Sequence, residues 1–499
     1  MLASLARFGP ELALSATVAA VLVADLVLST SKVESLKSNR RRALAWLGVL
    51  GVVAAAASLY WSPAVDTALF SGMLAFDGFA RFFKGLFLVV ALFGVLFGAV
   101  SDEIPEERYG EYLLLLFCLT LGLCLLCAAQ NLLMIYVSIE LVSLPSYILA
   151  GFRRGDRRSS EAALKYVVYG AAASGMMLYG FSLFYGLTGT LDLRGIGEHV
   201  QQLAGRGPTT LLTVALAGLF SLAGFGYKVA AVPFHMWCPD VYEGAPTPFV
   251  AFLSVGPKAA GLAALLRFLL VGYGAPDGWL APGHFPWQVI LGVLAMATMT
   301  LGNLVAIVQD NVKRLLAYSS IAHAGYMLMA VAVGTAQGTR AVMLYLGIYL
   351  AMNMGAFLAV MAVRAKTGSE SLADYRGLGS RSPYLALTLA VFLFSLTGLP
   401  PLAGFIGKFY LFAAVLSVDI PFFWVVALVG VLNSAVSLYY YARVIKAMYL
   451  DRLEGEAPAV PLLASHAALL TVLAVPTLVL GVWWGPLAQV IDGASSMLR

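Results

Sequence analysis

From about residue 11 onward the chain keeps returning to one pattern, a run of roughly 20 apolar residues followed by a short polar break. Hydrocarbon offers the backbone no hydrogen-bond partner, so each run must close its own bonds as a helix. Such runs lie near residues 11–30, 43–60, 80–100, 111–129, 131–151, 162–188, 210–237, 247–273, 285–308, 313–334, 339–363, 384–416, 421–446 and 461–485. They predict an all-α polytopic membrane protein with about 14 transmembrane helices. With 61% hydrophobic and 11% charged residues, the chain has little left for a soluble domain. The first run lacks a basic leading stretch and a small-residue cleavage site, and is expected to stay as a span.

The charges between the runs set an orientation. Loops after odd-numbered spans hold Lys32, Lys37, Arg40, Arg41 and Arg42, then Arg108, then Arg153, Arg154, Arg157 and Arg158. Lys313, Arg314, Arg364, Lys366, Arg376, Arg381, Lys446 and Arg452 continue the series, whereas the other side has only Arg7, Arg194, Arg206, Arg340 and Arg499. The positive-inside rule then puts the odd loops in the cytoplasm and both termini outside. A formal net charge of +5 calls for no nucleic-acid partner. Among the cysteines, Cys118, Cys124 and Cys127 share one apolar run and Cys238 is distant in sequence, so no four-ligand cluster can be assembled and packing roles are expected. No nucleotide-binding glycine loop, haem motif or zinc pattern occurs, which predicts no cofactor bound by this chain.

Function is sought where the apolar pattern is violated, because ionisable groups in hydrocarbon are costly and mark ion or proton paths. Lys228 sits in LAGFGYKVAAVPFHMW, and Pro233 downstream should break the helix and free carbonyls near it. The alternative is a lysine that snorkels to the interface. Lys408 repeats the arrangement in TGLPPLAGFIGKFYLF after Pro400 and Pro401. Glu140 lies halfway along the fifth run, with Ser138 and Ser143 available to solvate it and its partner expected from another helix. A Glu–Lys pair of variable separation can load and release a proton, while a static pair would only fix packing.

Other candidates flank these. Lys165 is four residues from Glu161, so the two share a helix face and an interfacial ion pair is an open reading. Lys258 follows Gly256-Pro257 in the eighth run and is placed to accept a proton from Lys228. His235, seven residues beyond Lys228, falls near the same face of a continuous helix. His323 lies beside Ser319, Ser320 and Tyr326, a polar group that could hold water, and either a relay or a packing role fits it. Asp310, Lys313 and Arg314 read as a charged anchoring edge, and DEIPEERYGE as a solvated turn. The spans up to Val100 read as scaffold, apart from Asp25, a carboxylate expected near the outward headgroups.

Lys228 and Lys408 stand at similar offsets from Glu111 and Phe285, where two groups of five spans begin. An odd number of spans per group inverts the second group relative to the first, the plan of many transporters. The expected division is 1–110 as N-terminal scaffold, 111–273 and 285–446 as inverted repeats, and 447–499 as a C-terminal helix.

The residues PFHMWCPDVYEGAPTP after Lys228, Glu140 in its span, GPK at Gly256–Lys258 and GLPPLAGFIGKF together resemble subunit N of bacterial respiratory complex I, the proton-translocating NADH:quinone oxidoreductase. The resemblance covers nearly the whole chain, and PDVYEGAPTP is the run most specific to it. It implies 14 helices with two inverted five-helix repeats, each holding a discontinuous helix. It also implies a proton path in which Glu140 pairs with Lys228, Lys165 and Lys258 lead into a polar axis, and Lys408 stands at the exit, with His323 at a polar tenth-helix position. A lysine at 408, where subunit M has glutamate, favours N over M, and the missing lateral helix argues against subunit L. The implied complex uses quinone, NADH, FMN and iron–sulfur clusters held elsewhere, and the implied neighbours are antiporter-like subunit M and small membrane subunits. The rival readings are a multisubunit cation/proton antiporter and a structural spacer.

Overall fold

The computed structural model describes residues 2–30, 39–62, 66–203, 207–273, 286–451 and 460–495. Lys32, Lys37, Arg206, Arg452 and Arg499 of the loop charges lie outside these residues. Among the described residues, 13 helices are long and apolar enough to cross a membrane. Two shorter apolar helices, Pro383–Thr397 and Ala403–Leu416, supply the twelfth span in two pieces, so every expected span is present. The described residues are all-α except for one antiparallel hairpin, Thr67–Leu69 with Leu74–Phe76, which the hydropathy pattern did not signal. Its turn runs through Phe70, Ser71 and Gly72 at positive φ, and Leu69, Leu74 and Phe76 bury against Ala80 and Ala128.

Helix ends follow the local chemistry of the loops. Asn131, Asp156, Asn311 and Thr335 cap helix starts through their side-chain oxygens. Gly189, Gly368 and Gly398 close helix ends in the left-handed region, where a residue without Cβ is at no disadvantage. The seventh span is interrupted as its proline demands. Its first helix, Pro208–Val229, stops one residue after Lys228, Ala230 turns to φ 60, and a short helix resumes over Trp237–Gly244. The peptide bonds Val232–Pro233 and Pro400–Pro401, one in each broken span, are both cis.

Two compact units are distinguished, one of Met1–Val229, Gly256–Trp287 and Gly493–Arg499, the other of Ala230–Val255 and Gln288–Asp492. In the first, the sixth span (Arg157–Thr188) and the seventh pack through Gly180, where a Cβ would lie 2.6 Å from the Ser221 backbone nitrogen. In the second, the tenth and eleventh spans (Val312–Ala332, Ala336–Thr367) are buried over 94% of their apolar windows. A helix buried on all sides is apolar all round, so these two carry no sidedness in their sequence.

Candidate functional site

In the first unit, Lys228 is 2% exposed in the last turn of Pro208–Val229, where carbonyls left without helical partners make a negative end. Its Nζ donates to Ser143 Oγ at 2.8 Å, and Ser143 Oγ donates to the Ile139 carbonyl at 2.7 Å. Glu140 is one turn before Ser143 on the fifth span (Leu132–Ala150); it is half-buried and acts on Lys228 electrostatically without ion-pair contact. The expected Glu140–Lys228 pair is therefore open, and Ser143 solvates the lysine instead of the carboxylate. Ser138 Oγ is buried and has no hydrogen-bond partner among the described residues. The Tyr147 hydroxyl bonds to both Ser143 and Tyr227, and Tyr227 donates to the Tyr166 carbonyl at 2.9 Å. Gly170 makes room for that meeting, since a Cβ there would fall 1.9 Å from the Tyr147 hydroxyl.

Lys258 is 1% exposed on the eighth span (Thr247–Arg267), one turn before Gly261. A Cβ at Gly261 would be 3.0 Å from Lys228 Cγ, so the bare backbone there admits the lysine stem. Lys165 pairs with Glu161 at 2.7 Å with its side chain 37% exposed, which is the interfacial i,i+4 geometry. His235 is 7% exposed, but it lies in the break and not on the Lys228 helix. Its expected same-face position fails because the helix has already ended.

In the second unit, Lys408 is 4% exposed and donates to the Thr397 carbonyl at 2.8 Å and to Ser434 Oγ at 3.0 Å. Thr397 is the last residue of the preceding half-helix, so the ammonium sits at that helix's negative end. Its third neighbour is the face of Tyr326, 4.7 Å from Nζ to the ring centre, a cation–π contact. Among the described residues no carboxylate contacts it. His323 is 1% exposed and bonds through Nδ1 to the Tyr345 hydroxyl at 2.5 Å and through Nε2 to the Tyr441 hydroxyl at 3.2 Å. Tyr441 also bonds to Ser319, and Tyr349 donates to Ser320 at 2.9 Å. Tyr326 packs edge-on against the imidazole at 5.7 Å and accepts from Asn303 Nδ2 at 3.1 Å. The partners of His323 thus come from tyrosines of other helices, which one-helix reasoning does not find.

Further charges were missed or misread. Lys313 is fully buried; it donates to the Ala245 carbonyl at 2.7 Å and pairs with Glu370 at 3.3 Å. Arg314 clamps Asp240 at 2.6 Å and Glu243 at 2.9 Å, the two acids of PDVYEGAPTP. Lys313 and Arg314 of the expected anchoring edge thus lock the short helix after the break, whereas Asp310 is exposed and pairs with Arg443. Glu103 of the acidic loop is 6% exposed and faces Arg153 at 3.8 Å, not a freely solvated position. Asp25 pairs with Arg40 at 2.7 Å, so it lies at the basic-loop end of its span and not at the opposite end expected for it. The chain before Val100 takes part in two buried pairs, Glu11–Lys84 within it and Asp77 with Arg267 of the eighth span, both at 2.7 Å. Lys84 breaks an apolar run just as Lys228 does, and that signal was available.

Outside the spans, two carboxyls show what these contacts do. Burial alone would raise the Asp77 carboxyl, but the Arg267 guanidinium holds it below its ordinary value, helped by the Ala80 amide. Glu370 behaves likewise, with burial opposed by Lys313, an Asn311 hydrogen bond and Arg364.

The family described as NADH:quinone oxidoreductase/Mrp antiporter, TM, matches residues 129–434, which contain all six candidate residues. The chain is 49% identical to NADH-quinone oxidoreductase subunit N of Anaeromyxobacter sp. (strain Fw109-5), over 99% of this chain and 96% of that one. Among solved structures, a chain of respiratory complex I from Thermus thermophilus with bound aureothin superposes with a TM-score of 0.75 at 36% identity, covering 95% of this chain and 98% of that one. A chain of the Mrp complex from Dietzia sp. DQ12-45-1b has the same fold, with a TM-score of 0.80 at 22% identity over 99% and 97% of the two chains. Full-length identity of this order, with the buried lysines on two broken helices, leads to one conclusion: the chain belongs to the NADH-quinone oxidoreductase subunit N family.

Proposed function

We propose that the chain is a membrane-arm subunit of a proton-pumping NADH:quinone oxidoreductase, multi-pass in the bacterial inner membrane and without a redox centre of its own. Quinone, NADH, FMN and iron–sulfur clusters belong in this reading to other subunits, with antiporter-like subunit M and small membrane subunits as neighbours. Residues 111–273 and 285–446 act as inverted repeats, flanked by 1–110 and 447–499.

One observation carries the reading: Lys228 and Lys408 are both buried, both at a helix break, and both held by hydroxyl or carbonyl oxygen without a contacting carboxylate. A charge locked in a buried ion pair resists change, whereas one held by neutral acceptors responds to the field of a neighbour. Glu140 supplies that field at Lys228. Quinone reduction elsewhere alters the charge along the membrane arm and the Glu140–Lys228 separation. The proton of Lys228 then passes by way of Lys258 toward Lys408 and out, with His323 as a relay. Lys165, like Lys258, leads into the polar axis, and it remains 37% exposed while paired with Glu161.

Replacing Lys228 with Ala in the assembled complex is expected to abolish or sharply reduce both pumping and coupled quinone reductase activity. Normal pumping by a fully assembled variant would remove the residue from the mechanism. Flavin and iron–sulfur proteins should copurify with the native assembly. If ion-gradient-driven exchange were found without them, the antiporter reading would replace this one.

A further inference from the structure

The second unit has an open groove of about 1320 Å³ between the Pro383–Thr397 helix and the thirteenth span, Pro421–Tyr449. This is larger than the roughly 300–1,000 Å³ of small-molecule sites. Its composition changes along its length. One wall is Leu387, Ala390 and Phe394, a single face of the half-helix, opposite Tyr439. Leu387 and Tyr439 are 56% and 61% exposed. The half-helix starts at Pro383 beside the basic loop, so this wall runs from the charged end toward the break, about 10 Å from Leu387 to Phe394 at 1.5 Å per residue.

The charged end carries Arg376, Arg443 and Lys446 with Asp310 and Asp451. Arg443 is pinned by the Ile307 carbonyl at 2.5 Å and by Asp310, and Lys446 pairs with Asp451 at 2.9 Å. Arg376 is exposed and has no ion pair among the described residues. Three cations against two carboxylates leave one positive charge unmatched, at the mouth of a groove whose depth is apolar. A basic mouth above an apolar wall at a membrane surface is the composition that receives an anionic lipid headgroup.

We propose that this groove is a binding site for an anionic phospholipid, its phosphodiester at Arg376 and Lys446 and one acyl chain along Leu387, Ala390 and Phe394. The singly charged phosphodiester matches the one unpaired cation. The apolar wall selects a lipid over free phosphate, which would gain nothing below the mouth.

The test uses the purified assembled complex in phosphatidylcholine vesicles doped with phosphatidylglycerol carrying a photoreactive acyl chain. Labelling is expected on the peptide containing Leu387–Phe394, exceeding that from an equally reactive phosphatidylcholine probe, and unaffected by added inorganic phosphate. Arg376→Gln should lower phosphatidylglycerol labelling about fivefold and leave phosphatidylcholine labelling unchanged. Leu387→Trp, which fills the wall without touching a charge, should lower labelling by both probes. Equal labelling by the two lipids, displacement by phosphate, or a cross-link to a neighbouring subunit in place of lipid would each overturn the proposal. Arg376 makes no structural ion pair, so its variant is expected to assemble.

Discussion

A buried ammonium held by hydroxyl and carbonyl oxygens keeps its hydrogen bonds without keeping a counter-charge, and that distinction governs the residue scale here. Among the described residues the single direct acceptor at Lys228 is Ser143 Oγ. Ser143→Ala leaves the ammonium short of an acceptor in a buried site, a penalty of about 1–3 kcal/mol. Pumping by the assembled variant should fall and its pH profile should move, whereas Ser143→Thr, which keeps the hydroxyl, should retain the native profile. An unchanged profile in the Ala variant would mean that another acceptor serves Lys228. The lysines themselves were legible because they interrupt apolar runs, and Glu140 for the same reason. Ser143 was legible only as a neighbour of Glu140, and Ser434 and Thr397 not at all, because serine and threonine are ordinary in such helices and only a third dimension shows which of them faces a cation. Lys84 interrupts an apolar run as Lys228 does, whereas Lys313 stands in the first turn of its helix, where a charged edge is the ordinary reading.

At the scale of elements, the two interrupted helices depend on backbone passing close to backbone. In the twelfth span a Cβ at Gly404 would lie 1.7 Å from the Ser395 carbonyl oxygen, on the preceding half-helix. Gly404→Ala should therefore unseat the half-helix carrying Lys408 and reduce the amount of assembled complex recovered. Gly175→Ala, at a helical position with nothing within 4 Å, should be neutral or stabilising by up to about 1 kcal/mol, as helix propensity alone dictates. Comparing the thermal stabilities of the two variants in one detergent separates close packing from propensity. The breaks could be placed from Pro233 and Pro400-Pro401, since proline forfeits a ladder bond. The same-face position of His235 could not survive, because periodicity extrapolates a helix past the point where it stops. The hairpin at Thr67–Phe76 is too short for hydropathy to register and depends on burial against Ala80 and Ala128.

For the whole molecule, span number and class followed from the length of apolar runs, a constraint the bilayer imposes on any sequence. The charged locks outside the membrane did not, because their partners are far apart in the chain. Glu370, held by Lys313 and Arg364, is one such lock, and its loop is bridged to the tenth span by Val312 N to Glu370 O at 2.8 Å and Leu372 N to Asp310 O at 2.7 Å. Its carboxyl is held below 4.5, so its contribution is complete above that value and fades as acid takes the pH through the lowered one. Amide exchange at Val312 and Leu372, corrected for intrinsic rates, should stay protected down to about 4.5 and lose protection below it. Loss of protection already at neutral pH would show that the lock does not hold the loop. Tyr326 offers a different vantage on the intact assembly, with its face to Lys408 and its edge to His323. A fluorine placed on that ring should shift in NMR frequency whenever the ammonium gains or loses its charge, making one silent aromatic a meter for each turnover of the pump.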